Sequence, residues 1–174
     1  MSLSEGNESC DTCELDENLM ILRGIYFFSG LPLEVLKLLA YLCTRENFSP
    51  GDYLFNQGDD DGQAFYIISG TARLIQADDG SERELKDYKE GDFLGGMVLV
   101  GNMRRLFSLK ASTDMACLIL AREKFTKAME QFPDLMPKIM KAVVESISDW
   151  ERRLLAEFSK SYDDCRHIVG ISLV

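Results

Sequence analysis

Gly91-Asp92-Phe93-Leu94-Gly95-Gly96-Met97-Val98-Leu99-Val100-Gly101-Asn102-Met103-Arg104-Arg105-Leu106-Phe107-Ser108-Leu109-Lys110-Ala111 is the stretch whose reading decides the fold. It reads as a turn, then one or two turns of helix, then a strand. Gly95 and Gly96 remove two side chains where the helix starts, and the amides of Gly96, Met97 and Val98 stand at that start. Free amides at a helix N-terminus carry partial positive charge and attract an anion. Nine residues beyond Gly96 comes Arg105, whose planar guanidinium takes a phosphate through two parallel hydrogen bonds. Together these residues make a candidate pocket for one phosphate, although a Gly pair before an apolar run is by pattern more often just a loop.

Outward from this stretch, residues 48–121 alternate short apolar runs with glycine turns. Tyr53-Leu54-Phe55 and residues 64–68, 71–76, 83–88, 106–111 and 116–121 read as strands. Pro50-Gly51-Asp52, Gln57-Gly58-Asp59, Ser69-Gly70, Asp79-Gly80 and Glu90-Gly91-Asp92 separate them. Asp79-Gly80 between two strands is a strong hairpin signal. Many short strands at this spacing predict an antiparallel sandwich or barrel, with Ile67, Leu74, Leu99, Leu118 and Leu120 in its core. Asp59-Asp60-Asp61-Gly62 lacks the alternating ligands and distal Glu of a calcium loop and reads as a solvated turn.

Helices flank the strands. Residues 17–45 have a helical pattern, with Pro32 in a first-turn position that tolerates its missing N–H. Residues 122–131 form a short helix, and Pro133 and Pro137 mark a break and a restart. Met136, Met140, Val143, Ile147, Trp150 and Leu154 then follow at intervals of four and three, an a/d seam. Such a seam lies on the chain's own barrel or on a partner helix; the lone Trp150 on a charged helix favours the partner. The tail, residues 167–174, is apolar and β-prone and is expected to dock as an edge strand or against a partner. Residues 1–16 are polar and acidic and read as a disordered tail.

Charge and composition narrow the function. The 174 residues carry a net charge of −10, which repels nucleic acid phosphates. Arg104-Arg105 is too small a cluster to grip a duplex. No apolar run has the length of a membrane span, and no signal peptide is evident. Five scattered cysteines fit the reducing cytoplasm, and Cys10 and Cys13 read as ordinary thiols on the N-terminal tail. A metal-dependent jelly-roll enzyme needs two or three His ligands, and the chain has one, His167, outside the strands. Neither a metal site nor a nucleophilic triad can be assembled, so no enzyme activity and no required cofactor are expected.

The layout resembles the cyclic nucleotide-binding domain, the family of protein kinase A regulatory subunits, the catabolite activator protein and cyclic nucleotide-gated channels. The resemblance covers residues 26–155 and rests on Pro50-Gly51-Asp52, Gln57-Gly58-Asp59, Phe65-Tyr66-Ile67-Ile68-Ser69-Gly70 and Glu90-Gly91-Asp92-Phe93-Leu94-Gly95. It implies a mainly β fold: an eight-stranded antiparallel jelly-roll barrel with N-terminal helices and a long C-terminal helix. The implied organisation is a jelly-roll domain at 17–132, a dimerisation helix at 133–160 and a tail at 161–174. In the family a cassette opens with Gly-Glu: the Glu binds the ribose 2′-hydroxyl, and helix amides and an Arg nine residues later bind the cyclic phosphate. The resemblance thus places the ligand site at Gly95, Gly96, Met97, Val98 and Arg105.

Two departures follow. Gly96 stands where the family has Glu, and Leu106 replaces the small residue after the Arg and is expected to fill part of the pocket. The implied function is a homodimeric regulatory domain that takes cAMP or cGMP weakly and signals through its C-terminal helix to a protein partner. The alternative is a ligand-free interaction module. On this reading Gly96→Glu strengthens binding, and Leu106→Ala is needed with it if Leu106 blocks the pocket.

Overall fold

Strand alternation accounts for the two-layered core. The computed structural model describes residues 5–78 and 81–161. Along β3 (Gln63–Ser69), Phe65 and Ile67 point into a barrel interior, while Ala64, Tyr66 and Ile68 point out towards the helices. Along β8 (Met115–Ala121), Met115, Cys117 and Ile119 face inward, and Leu118 and Leu120 face outward. A sheet buried on both faces is written as a continuous apolar run, which is why Phe65-Tyr66-Ile67-Ile68 and Cys117-Leu118-Ile119-Leu120 lack polar alternation.

Eight strands form two four-stranded antiparallel sheets. One has the order β1 (Thr44–Phe48), β8, β3, β6 (Phe93–Leu94); the other has β2 (Tyr53–Phe55), β7 (Ser108–Ala111), β4 (Thr71–Asp78), β5 (Ser81–Lys89). This is the expected jelly-roll barrel. Its closing turns need glycine: at Gly70 (φ +85°) an added Cβ would run into the Asp114 carbonyl oxygen. Ile67, Leu99, Leu118 and Leu120 are buried as expected. Leu74 is only half-buried, though it packs against the barrel interior opposite Leu109.

Helices cover the outer face of the first sheet. They are α1 (Glu5–Gly24), α2 (Leu33–Leu42), α3 (Arg122–Glu130) and α4 (Met136–Ser161), with short 3-10 turns at Tyr26–Phe28, Gly96–Leu99 and Pro133–Leu135. Phe27, Phe28, Leu39, Phe125 and Ile139 make the buried layer between helices and sheet.

Two boundaries differ from the sequence reading. Residues 5–16 continue α1 rather than forming a disordered tail. Leu22 anchors the helix in the core, and Arg45 bonds Asn18 at 2.7 Å and Glu17 at 3.0 Å. Once nucleated by packing, a helix propagates at little cost per residue, so the polar first turns follow. Residues 44–45 belong to β1, not to a helix, because pairing with β8 overrides the local pattern. The Asp79-Gly80 turn and the 167–174 tail lie outside the described residues.

The expected seam on α4 does not form a single free face. Val143 is buried in the chain's own core, with Ile139 and Ala142, and Met136 packs against that core. Among the described residues of α4, Met140, Val144 and Ile147 are large, apolar and exposed. A straight helix turns by 3.6 residues, so a stripe with Val143 at its centre faces the barrel and its flanks face out. The side chains of Trp150 and Leu154 lie outside the described residues.

Candidate functional site

The 3-10 turn Gly96–Leu99 follows directly on β6, and Gly95 makes the transition at φ +79°. A Cβ at Gly95 would stand 2.9 Å from the Gln63 carbonyl oxygen and 3.0 Å from Arg105 Nη1. Glycine here lets the backbone pass over the guanidinium. The Val98 amide bonds the Gly95 carbonyl, whereas the amides of Gly96 and Met97 meet no acceptor among the described residues. Val98 is buried and Met97 is exposed. The structure thus brings Gly95, the residue that opens the turn, beside the Arg105 guanidinium.

Arg105 lies in the barrel interior, its side chain 7% exposed. The guanidinium carbon stacks 3.9 Å from the centroid of Phe55 and 5.7 Å from that of Phe65, contacts that favour a cation over the ring face. Nε donates to Asp61 Oδ1 and Nη2 to Asp61 Oδ2, both at 3.0 Å. Nη2 also donates to the Gln63 carbonyl. No acceptor among the described residues meets Nη1. The main chain of Arg105 is tied to the same loop: its N–H donates to the Asp59 carbonyl and its carbonyl accepts from Gly58 N–H, both at 2.8 Å.

Asp61 is the residue that the sequence did not assign to this site. The 59–61 run is exposed at Asp59 and Asp60, as a solvated turn implies, and each acid is also an anchor. Asp59 accepts from the Asn56 amide at 2.8 Å, Asp60 pairs with Arg122 at 2.8 Å, and Asp61 pairs with Arg105. Arg122 also donates to the Gly101 carbonyl at 3.0 Å, linking the loop to the end of the cassette. The one signal available was three acids in a row facing a chain with two arginines next to one another and another at the start of α3. Sequence alone does not say which of them meet.

Leu106 does not fill the pocket. It is 72% exposed. Arg105 turns inward, and successive side chains along a non-helical segment fall on opposite sides. Gly96 is also closed to a side chain, for a different reason: its Cβ would meet Phe27 Cδ2 and Phe93 Cε1, each at 3.0 Å. That direction leads into the outer core, away from Arg105. Phe27 sits in the 3-10 turn whose neighbour, Tyr26, donates to Glu145 of α4 at 2.6 Å. Pairing with Glu145 raises the Tyr26 pKa. A groove of about 560 Å³ between α1, this turn, the cassette and α4 is lined by Met20, Tyr26, Phe93, Gly96, Met97 and Val143.

The profile of the cyclic nucleotide-binding domain matches residues 45–132. The chain belongs to the cyclic nucleotide-binding domain family. Human cGMP-dependent protein kinase 2 is 24% identical over 135 residues, 76% of this chain and 18% of that protein. The cAMP-dependent protein kinase regulatory subunit of Emericella nidulans is 32% identical over 106 residues, 60% of this chain and 25% of that protein. The structure of the catabolite activator protein of Thermus thermophilus superposes with a TM-score of 0.62 at 25% identity, covering 78% of this chain and 62% of that one. The chain therefore matches only a quarter or less of the length of those two kinase proteins. Among the described residues no helix is long and apolar enough to cross a membrane, and no three His, Cys, Asp or Glu side chains group as metal ligands.

Proposed function

We propose that this chain is a cytoplasmic regulatory domain that takes cAMP or cGMP weakly at Arg105 and relays occupancy through α4 to a protein partner, as a homodimer. The observation that carries the reading is the buried guanidinium of Arg105, with Nη1 unpartnered among the described residues and set against Gly95, the residue before the free amides of Gly96 and Met97. These groups converge on one small anion. Relatives known as cAMP- and cGMP-dependent kinase proteins favour a cyclic phosphate as that anion.

Weak binding follows from Gly96. A hydrogen bond from a sugar hydroxyl to a carboxylate contributes roughly 1.5–3 kcal/mol, or about one to two decades of affinity. A relay is supported by proximity: Phe27 fills the space that a Cβ at Gly96 would enter, and the adjacent Tyr26 bonds Glu145 on α4. Movement of the cassette is thereby felt at the helix. The exposed Met140, Val144 and Ile147 offer α4 an apolar surface for a second copy.

The Asp61 carboxylate on Arg105 favours a second reading, a protein-interaction module that no longer answers to nucleotide. Calorimetric titration of the chain with cAMP and with cGMP separates the two. Saturable heat that disappears in Arg105→Ala supports the sensor; a flat titration in both proteins refutes it and leaves the module.

A further inference from the structure

The groove of about 560 Å³ between α1, the Tyr26–Phe28 turn, the cassette and α4 is a surface without a cover. It lies on the helix side of the first sheet, where Tyr66 and Phe93 pack with the outer core. Phe27 and Val143, both buried, form its floor. Met20, 73% exposed, and Met97, 41% exposed, stand on its rim. Gly24 and Gly91 also line it, and a Cβ at either would meet nothing within 4 Å. Large apolar side chains left exposed side by side mark a place where another segment packs. Ile147, exposed one turn beyond Val143, continues the apolar path along α4.

The chain itself carries a segment that fits. In Ile168-Val169-Gly170-Ile171-Ser172-Leu173-Val174, an extended backbone presents Val169, Ile171 and Leu173 on one face and Gly170 and Ser172 on the other. Its distance from the groove also agrees. α4 passes the groove at Val143 and Ser146 and runs on to Ser161. From Ser146 to Ser161 the helix advances about 22 Å. A chain that turns back after Ser161 regains that distance by Ile168, at about 3.3–3.6 Å per extended residue, which leaves residues 168–174 level with the groove. Charge agrees as well. Glu145 and Asp149 stand one turn apart on α4 beside Tyr26: Glu145 accepts its hydroxyl at 2.6 Å, and both carboxylates raise its pKa. Each has one partner on its own helix, Lys141 at 3.8 Å from Glu145 and Arg152 at Asp149. Arg166 and His167 immediately precede the apolar run and reach this acidic rim as the run enters the groove. We infer that residues 168–174 dock into the groove of their own chain, placing Val169, Ile171 and Leu173 among Met20, Met97 and Val143 and fastening the cassette turn to α4. Docking there needs no ligand at Arg105.

The test is methyl NMR on the full, unaltered chain with its Met, Ile and Leu methyl groups labelled. Through-space contacts are expected from the Met20 and Met97 methyls to those of Ile171 and Leu173. Met103, exposed but outside the groove lining, serves as the control and should show none. Their absence at both Met20 and Met97 overturns the inference. A second sample mixes chains labelled only at Met with chains labelled only at Ile and Leu. There the contacts should disappear; contacts that persist show that another copy supplies the segment, and they overturn docking within one chain. The double variant Ile171→Ser, Leu173→Ser gives an independent reading, because neither position belongs to the described core. It should shift the Met20 and Met97 methyl resonances and leave that of Met103 in place. Unmoved Met20 and Met97 resonances overturn the inference.

Discussion

Restoring a side chain at Gly96 is the perturbation on which sequence and structure disagree most sharply. The family pattern has Glu at this position, so Gly96→Glu is expected from sequence to strengthen binding. The backbone directs the new Cβ elsewhere. It would lie 3.0 Å from Phe27 Cδ2, 3.0 Å from Phe93 Cε1 and 3.3 Å from Phe27 Cε2. Phe27 cannot give way freely: it is 5% exposed, packs edge-on against Phe28 with ring centroids 5.0 Å apart, and tilts against Phe93 and Phe125 at 6.0 and 6.4 Å. Gly96 itself has no left-handed backbone requirement, so the steric term stands alone.

Overpacking a filled core costs about 1–3 kcal/mol. For a chain of this length each kcal/mol lowers the melting temperature by about 2–4 °C, so Gly96→Ala should lower it by about 2–12 °C. Gly96→Glu should cost more, because it adds a carboxylate among phenyl rings, and it should not raise cyclic nucleotide affinity. Thermal denaturation followed by circular dichroism measures the first effect, and calorimetry the second. Trimming the obstacle supplies an internal check: in a double-mutant cycle, Phe27→Leu should offset part of the cost of Gly96→Ala. If Gly96→Ala melts within about 1 °C of the unaltered chain, or if Gly96→Glu binds more tightly, the packing argument is wrong.

Other substitutions probe separate parts of the fold. Gly70→Ala should destabilise far more than Gly51→Ala in urea denaturation, since both have positive φ (+85° and +97°) but only Gly70 has a neighbour in the way. Cys43 and Cys117 are pushed up to about 12, mainly by burial. Their neutral thiols favour the folded state fully below the ordinary value of 9.0, and that contribution is lost as pH rises from there towards 12. The urea midpoint should therefore fall between neutral pH and pH ~10, and fall less in the Cys43→Ala, Cys117→Ala double variant. In native protein at neutral pH a thiol reagent should label the exposed Cys13 well before either of them. Ile147→Glu places a charge on an exposed apolar residue of α4 and should convert a dimer to a folded monomer in light scattering; a monomeric unaltered chain would rule out the dimer.

Legibility from sequence followed the range of the interactions. Glycine turns and alternating apolar runs are local, and they sufficed for an antiparallel sandwich or barrel; the jelly roll itself came with the family resemblance. The spacing from Gly96 to Arg105 is also local, and the structure sets the Arg105 guanidinium beside Gly95. What sequence could not supply was direction. Leu106 was assigned to the pocket by position, yet the inward turn of Arg105 sends it to solvent. Val143 matched the seam by period, yet the rotation of α4 gives it to the core. Both errors come from treating a place in the chain as a place in space.

Asp61 shows the same limit from the other side. It lies 44 residues before Arg105, in a run of acids that local rules assign to a solvated turn. Only the closure of the barrel brings β2, β3 and the segment before β7 together, and with them Phe55, Asp61 and Arg105. A buried guanidinium without a counter-charge would cost several kcal/mol, so a site that keeps Arg105 while empty must hold a carboxylate, a phosphate or a channel of water beside it. The sequence retains the arginine and lacks the ribose-binding glutamate. The chain's own aspartate supplies that counter-charge. The retention of Arg105 is therefore explained by folding as well as by binding.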